Sequence, residues 1–210
     1  MKFYFENGIF KIPFENIEIF ITTKLWNNDY PFSYKIYSLK QVHSNKIIEV
    51  KRDMFLKEEG DGLFTFEKNI ILEVKIADCF PVFIFDKNLI MVLHVGWRGA
   101  KEGIVQKGIE IFKEKGDFKN IKVFLGPGIK KCCYEVKEDV ADFFKDFLEK
   151  RDERIYLDLE KFIINNFLKE GIKKEKIFIF PYCTSCRNDI FYSNRKKDKG
   201  RNRGWIIKLF

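Results

Sequence analysis

Short runs of apolar residues divide most of the chain beyond residue 70 into predicted strands and helices. Runs rich in Ile, Val and Phe are typical of buried strands, and they cover residues 70–76, 80–85, 89–95, 121–125, 176–180 and 205–209. Apolar residues at helical spacing predict three helices, which cover residues 100–115, 137–150 and 157–170. Gly116 and Gly171 stand where the first and third of these helices are expected to end.

The order of these elements predicts the fold class. Strands mix with helices, and some strands follow one another closely enough to pair as hairpins, which favours an α/β layered domain with a mixed sheet. The sequence contains no internal repeat, no low-complexity tract and no linker rich in Pro, Gly or Ser. Residues 1–210 are therefore expected to form a single domain, since this length supports a substantial core.

Composition narrows the range of partners. The formal net charge of +8 favours anionic partners, which are either phosphorylated or nucleotide-like small molecules or nucleic acid, while a solvated lysine-rich surface is the plain alternative. Phenylalanines cluster in apolar runs such as 83–85 and 177–180, so they are expected in the core. No targeting segment and no uncharged stretch of the roughly 18 residues that span a membrane is visible, which predicts a cytoplasmic protein.

The candidate chemistry centres on the two histidines of the chain. His43 and His94 each stand at the edge of a predicted strand, and Cys79 lies between them in the sequence, 36 residues after the first and 15 before the second. These spacings differ from those of zinc fingers, so the three residues converge only if the tertiary fold brings them together. Two imidazoles and a thiolate suit zinc with one open coordination position, and they also suit copper. The alternative is two core histidines and a buried cysteine.

A second group of cysteines consists of Cys132, Cys133, Cys183 and Cys186. An odd total of five cysteines in a chain of this length indicates reduced thiols or metal ligands and not a disulfide framework. The four residues could form a structural zinc site. However, adjacent cysteines on an extended chain point in different directions, so buried free thiols are the expectation.

A basic stretch punctuated by glycine covers residues 192–204. Its arginines could hold a phosphate group through bidentate hydrogen bonds. A solvated loop is the alternative.

Several motifs in one order along the chain carry a family resemblance. From about Gln41 to the C-terminus, the ordered set resembles the laccase-domain family, which is multicopper polyphenol oxidase-like and whose members are regarded as purine nucleoside phosphorylases with adenosine deaminase activity. The motifs are Gln41-Val42-His43, Asp61-Gly62-Leu63-Phe64-Thr65, Ala77-Asp78-Cys79-Phe80-Pro81-Val82, His94-Val95-Gly96-Trp97-Arg98-Gly99, Leu125-Gly126-Pro127-Gly128-Ile129, Cys132-Cys133-Tyr134-Glu135-Val136, and Cys183-Thr184 through Phe191-Tyr192-Ser193-Asn194-Arg195.

The resemblance implies a zinc site formed by His43, Cys79 and His94, an α/β/α layered sandwich, and purine nucleosides and phosphate as substrates. The implied nucleosides are adenosine, inosine, guanosine and methylthioadenosine, and the implied assembly is a monomer or homodimer. A multicopper oxidase needs many imidazoles for its copper centres. Because the chain has two histidines, laccase chemistry is not expected, although copper could occupy the one site.

Three further residues are candidates for catalytic roles. Asp78, next to Cys79, is the candidate proton shuttle for deamination. Arg98 and Arg195 are the candidates for holding phosphate during phosphorolysis. The alternative for Arg98 is a structural contact in which its side chain stacks on Trp97.

Two other functions remain open from the sequence. One is a metal-free cysteine hydrolase, in which Cys79 is the nucleophile and His94 or His43 the base. The other is a basic nucleic-acid-binding module. The aromatic residues lie in apolar runs and are not interleaved with Lys and Arg, which counts against nucleic acid as a partner.

Overall fold

The computed structural model of the protein describes residues 2–210, and within this range the strands form three sheets. Strands and helices are numbered along the chain. The first sheet is mixed, because its neighbours pair antiparallel except for the parallel pair of its last two strands. From edge to edge it consists of β1 (Tyr4–Glu6), β2 (Ile9–Phe14), β3 (Ile17–Thr22), β15 (Asn202–Lys208), β7 (Ile70–Ile76) and β4 (Lys35–Ser38).

The second sheet is also mixed, with a parallel pair at each edge and antiparallel pairs between them. From edge to edge it consists of β14 (Ile177–Ile179), β10 (Lys122–Leu125), β8 (Phe80–Phe85), β9 (Ile90–Val95), β6 (Gly62–Thr65) and β5 (Ile47–Glu49). A small antiparallel sheet consists of β11 (Glu135–Val136), β13 (Arg154–Leu157) and β12 (Leu148–Arg151).

The helical segments within residues 2–210 are short. The α-helices are α1 (Trp97–Lys101), α2 (Ile104–Lys115), α3 (Glu138–Ala141) and α4 (Leu159–Lys169). Single 3-10 turns occur at Phe118–Asn120, Lys145–Phe147, Lys174–Lys176 and Asn194–Lys196. Within these residues, no helix has the length and apolar character that crossing a membrane requires.

The core forms on both faces of the second sheet, as the alternation of side chains along β8 shows. Phe83 and Phe85 point into a cluster shared with the first sheet, whereas Val82 and Ile84 point into a cluster that includes residues of α2 and α4. A third cluster, which includes Trp26 and Trp205, packs on the outer face of the first sheet. All four β8 residues named here are buried, so the second sheet is the central layer of the molecule.

The α/β class and the mixed sheets are confirmed, but the order of the layers differs from an α/β/α sandwich. The structure stacks the first sheet, the second sheet and then the helices. The second face of the central sheet is covered by the first sheet, which is built largely from strands before residue 70 that the sequence analysis did not predict. The apolar residues on this face, such as Phe124 and Val92, are therefore buried against strands and not against helices.

The predicted helix over residues 137–150 is wrong. Only the first part of this segment is α-helical, where it forms α3. Residues 148–151 form β12, which pairs with β13 in an antiparallel hairpin. The hairpin turns at Asp152, whose φ of 53° lies in the left-handed region. The apolar spacing was misleading because Val140 and Phe144 both reach the core, although Val140 lies in the short helix α3 and Phe144 in the irregular turn after it.

The other two predicted helices exist with changed ends. Residues 97–115 form two helices and not one, because Gly103 between them adopts a φ of 86° that breaks the helical hydrogen-bond pattern. The last helix, α4, begins at Leu159, where the side chain of Asp158 accepts a hydrogen bond from the Lys161 N–H. Leu157 is instead the last residue of β13.

The connection from β7 to β8 determines where functional side chains can lie. β7 belongs to the first sheet and β8 to the second, so residues 77–79 carry the chain from one sheet to the other. Asp78 makes this change of direction with a φ of 88°, an uncommon value for a residue other than glycine. Cys79 follows it and lies at the end shared by both sheets.

Candidate metal centre and its cavity

His43, Cys79 and His94 converge at this end of the two sheets. Their ligand atoms all lie within 4.8 Å of one another. His43 comes from the loop between β4 and β5, Cys79 from the crossover, and His94 from β9, where it pairs with Pro81 of β8. The two imidazole rings are 4.9 Å apart between centroids and are inclined at 66° to each other, so their nitrogens can face one common point.

The buried carboxylate of Asp61 orients both histidines. His94 Nδ1–H donates to Asp61 Oδ1 (2.8 Å), while Ser44 donates to Oδ2 from its backbone N–H (2.6 Å) and from its hydroxyl (2.9 Å). An ionised carboxylate only accepts hydrogen bonds, so Nδ1 keeps the proton that faces Asp61, and His94 Nε2 is the atom that would bind a metal after releasing its own proton. The bonds from Ser44 hold the loop that carries His43.

The electrostatic environment keeps these groups ionised. Burial raises the pKa of the Asp61 carboxyl, but the hydrogen bonds from His94 and Ser44 lower it overall, to about 2. Burial also raises the pKa of the Cys79 thiol, yet the neighbouring rings of His94 and His43 bring it down to about 6. Burial lowers the pKa of His94, whereas Cys79 and Asp61 raise it to about 9. Cys79 is thus a thiolate at neutral pH, the form that binds metals and acts as a nucleophile.

The donor set and the surrounding space fit one zinc ion. Two imidazoles and one thiolate are a known zinc ligand combination that leaves a fourth position open. Gly96 leaves room for the ligand side chains, because a Cβ at this position would lie 2.8 Å from Cys79 Sγ and 3.3 Å from the His43 ring. Nothing larger than glycine is therefore compatible with the close approach of the three ligands.

The three side chains open into a cavity of about 660 Å³. Asp78, Arg98 and Arg195, the other residues that the sequence singles out, line the same cavity. Its lining contains the single acid Asp78 and five cationic side chains, which are Lys40, Lys75, Arg98, Arg195 and Arg201. A concave surface with this excess of positive charge attracts small anions.

Both carboxylate oxygens of Asp78 are engaged in hydrogen bonds. Thr184 donates from its hydroxyl to Oδ1 (2.7 Å), and Arg195 donates from its backbone N–H to Oδ2 (2.7 Å). The backbone carbonyl of Asp78 also accepts from the Ile129 N–H (2.8 Å). In this arrangement Asp78 holds two distant segments of the chain beside Cys79, and its role as a proton shuttle stays a prediction.

The two candidate phosphate-binding arginines are exposed to the cavity. The Arg98 guanidinium lies 4.6 Å from the centre of the Trp97 ring, so the stacked contact that was the alternative for this residue is present. Arg195 donates from Nη2 to the backbone carbonyl of Glu135 (2.7 Å). Each contact leaves further guanidinium N–H groups available, because arginine has five donors.

Several residues of the lining were not among the candidates predicted from the sequence. Gln41 exchanges two hydrogen bonds with the backbone of Lys75, at 2.8 and 2.7 Å, and so pins the His43 loop to β7. Partial burial raises the pKa of the Tyr134 phenol above its usual range, and the charges of Cys79 and Asp78 add to this effect. Gln41 and Tyr134 both belong to motifs that carry the family resemblance, which was the signal available in the sequence.

The four cysteines of the second group are free, as expected, but they are less buried than expected and form a cluster. The sulfur atoms of Cys132, Cys133, Cys183 and Cys186 lie within 4.8 Å of one another, and only Cys183 is buried. Cys132 and Cys133 belong to a turn and not to an extended segment, since the Cys133 and Tyr134 N–H groups both donate to the Lys130 carbonyl. Adjacent side chains in a turn can face the same point.

The chain matches the family model of the multi-copper polyphenol oxidoreductase laccases over residues 23–208, and it therefore belongs to this family, as the motifs predicted. It is 32% identical over 196 residues to the purine nucleoside phosphorylase of Aquifex aeolicus, an alignment that covers 93% of this chain and 94% of the relative. It is 36% identical over 183 residues to a purine nucleoside phosphorylase of Clostridium acetobutylicum, which covers 81% and 75% of the two chains.

Solved structures share the fold. YlmD from Geobacillus stearothermophilus superimposes with a TM-score of 0.87 at 24% sequence identity, over 99% of each chain. The YfiH protein of Bacillus licheniformis also gives a TM-score of 0.87, at 23% identity. The stacked sheets of this chain are therefore a fold that other proteins also adopt.

The role of Asp61 leads to a first prediction. Replacing its carboxylate in Asp61→Asn removes the charge that fixes the His94 tautomer, so zinc should bind about 10- to 100-fold more weakly. The measurement is the zinc affinity of Asp61→Asn and of the wild type, each in competition with a chelator. The zinc of this site is identified as the zinc that is lost in a Cys79→Ala variant.

Ser44→Ala is the matched control for this variant. It removes one donor to Asp61 but keeps the charge and the bond to His94, so its loss of zinc affinity should be smaller. Wild-type zinc affinity in Asp61→Asn would show that the carboxylate does not orient the ligands.

Proposed function

We propose that this chain is a zinc-dependent purine nucleoside phosphorylase that also deaminates adenosine. The observation that carries the proposal is the cavity in which His43, Cys79 and His94 lie beside five cationic side chains. A site for phosphorolysis must bind an inorganic anion and a neutral nucleoside together. The names of the relatives in Aquifex aeolicus and Clostridium acetobutylicum support the same activity.

Phosphate binding falls to the arginines of the cavity. Phosphorolysis forms a bond between a phosphate oxygen and C1′ of the ribose while the bond from C1′ to the purine nitrogen breaks. The products are ribose 1-phosphate and the free base, which gains a proton. Arg98 and Arg195 would hold the phosphate through paired N–H donors, and Lys75 and Arg201 would add to the positive potential around it.

The nucleoside would bind against the less charged part of the lining. Trp97, Tyr134, Ile129 and Leu159 supply aromatic and aliphatic surface for a purine and its ribose. Tyr134 is protonated at neutral pH, as an ordinary phenol is, and its raised pKa keeps it protonated at higher pH as well. It would therefore donate a hydrogen bond to the nucleoside as a neutral group. The cavity is open enough for adenosine, inosine, guanosine and methylthioadenosine, and we propose all four as substrates.

His43, Cys79 and His94 would hold the metal. Bound zinc supplies a Lewis acid and lowers the pKa of a water molecule to about 7. In deamination, water adds at C6 of the purine, ammonia leaves, and adenosine becomes inosine. Asp78 is the acid of the lining and would carry the proton on a lone pair that the hydrogen bonds from Thr184 and Arg195 leave unused. Copper at the same three ligands is the proposed competitor of zinc.

One second candidate has its own supporting observation. The thiolate of Cys79 beside the protonated ring of His94 is the pair that a cysteine hydrolase uses. A nucleic-acid-binding function is less well supported, because the five lining cations converge in a concave cavity and a polymer needs a continuous charged face. We further propose that the whole chain acts as one cytoplasmic domain, as a monomer or a homodimer.

Product analysis tests the proposed activity. Purified protein of known metal content is incubated with adenosine, with and without phosphate, and the products are separated by chromatography. Adenine and ribose 1-phosphate should form only with phosphate, whereas inosine should form in both cases. Turnover of adenosine by protein from which all metal has been removed would favour the cysteine hydrolase instead.

The anion-binding role of Arg195 gives a separate prediction. Arg195→Ala should raise the KM for phosphate by about 10- to 100-fold, since a hydrogen bond to a charged group contributes about 1.5–3 kcal/mol. Zinc content and the deamination of adenosine without phosphate should change little. Steady-state kinetics with varied phosphate provide the measurement.

Lys196→Ala is the control for Arg195→Ala. Lys196 is exposed in the same 3-10 turn but does not line the cavity, so this variant removes an equal charge without removing a ligand of phosphate. An equal rise in KM in both variants would assign the effect to general surface charge.

A further inference from the structure

The second cysteine group forms a compact cluster of four thiols outside the cavity. Cys186 Sγ lies 3.4 Å from Cys132 Sγ and 3.3 Å from Cys133 Sγ, and all four sulfurs, including that of Cys183, lie within 4.8 Å of one another. A disulfide would bring two sulfurs to about 2.05 Å. Four sulfurs around one zinc, each at about 2.3 Å from it, are separated by about 3.8 Å from one another. The observed spacing is much closer to the second arrangement.

The topology of the second sheet explains why cysteines fifty or more positions apart meet here. β10 and β14 are parallel neighbours, so the chain leaves both strands at the same end of the sheet and in the same direction. The two segments stay together, because the Thr184 N–H donates to the Gly128 carbonyl (3.1 Å). Each segment then makes a tight turn, one at residues 130–134 and one at 183–187, and each turn presents two cysteines.

The surroundings of the cluster suit an anionic metal–thiolate centre. The Lys130 N–H donates to Cys183 Sγ (3.4 Å), a contact that stabilises a thiolate. A zinc ion with four thiolates carries two negative charges, and the turns carry Lys130, Lys131 and Arg187, each of which is also paired with an acid: Glu160, Glu149 and Asp189, respectively. Arg151 also approaches this turn and donates to the Lys131 carbonyl (3.2 Å). Without a cation, four thiolates at this distance would repel one another strongly.

We propose that Cys132, Cys133, Cys183 and Cys186 bind one zinc ion as a closed structural site. Four protein ligands leave no position for water or substrate, so this site takes no part in the chemistry of the cavity. The four sulfurs lie so close together that there is space for a single ion at their centre. A tetrahedral set of four thiolates is a ligand set that suits zinc.

The site fastens two walls of the cavity to each other. Tyr134, the residue after Cys133, lines the cavity. Thr184 lies between the two cysteines of the other turn and donates to Asp78, next to Cys79. Zinc bound by the four thiolates would therefore link the segment that carries Tyr134 to the segment that supports Asp78.

Metal analysis of the full-length protein and of Cys79→Ala tests this site. The wild-type protein should hold two zinc ions per chain, and Cys79→Ala should keep one. X-ray absorption at the zinc edge of Cys79→Ala should then show coordination by sulfur alone. Cys186→Ser should lose one zinc per chain and should unfold at a lower temperature than the wild type.

The outcome does not depend on the proposed enzymatic activity. If the protein lacked phosphorylase activity, or if the cavity held no metal, Cys79→Ala would still contain one zinc with four sulfur ligands. The cluster is intact in that variant, so its zinc content is informative even if Cys186→Ser does not fold. The proposal would be overturned if Cys79→Ala contained no zinc. In that case the four remaining thiols would either react freely with a thiol reagent in the native protein or show disulfide bonds in mass spectrometry.

Discussion

A buried carboxylate is the constraint on which the metal centre depends. Asp61 is fully shielded from solvent, and an ionised group in this position requires hydrogen bonds to its oxygens. Its partners are Val42, Ser44 and His94, and its own backbone carbonyl accepts from the His94 N–H (2.7 Å). One residue thus ties the loop that carries His43 to the strand that carries His94. Cys79 needs no such support, because the crossover between the two sheets fixes its position.

The stacking of two sheets places the chemistry at their common end. The crossover at Asp78 brings Cys79 there, and the hydrogen bonds that Asp78 accepts bring Arg195 and Thr184 to the same place from the other end of the chain. The positive residues of the cavity come from the segment after β4 (Lys40), from β7 (Lys75), from α1 (Arg98) and from the basic stretch at residues 192–204. Part of the positive charge of the chain is therefore concentrated around one cavity, where it favours an anion beside the candidate zinc ligands.

The sequence revealed the centre of this arrangement but not its supports. His43, Cys79 and His94 stood out because the chain has two histidines and each lies next to a strand edge. The hydrogen bonds of Asp61 and Gln41 link residues far apart in the chain, which periodicity cannot show. The same limit explains why the thiol cluster was not expected, since the direction of the Cys132 and Cys133 side chains depends on a local turn. It also explains the helix predicted over residues 137–150, where a hairpin forms after Phe147.

The central claim is that the three candidate ligands serve both phosphorolysis and deamination. The measurement that tests it most directly is the rate of both reactions with adenosine in Cys79→Ala, compared with the wild type. A shared zinc site predicts that both rates fall together, by at least about 100-fold, which is the upper end of the cost of losing a residue that only supports a metal ligand. A Cys79→Ala protein that retained either reaction at the wild-type rate would contradict the account.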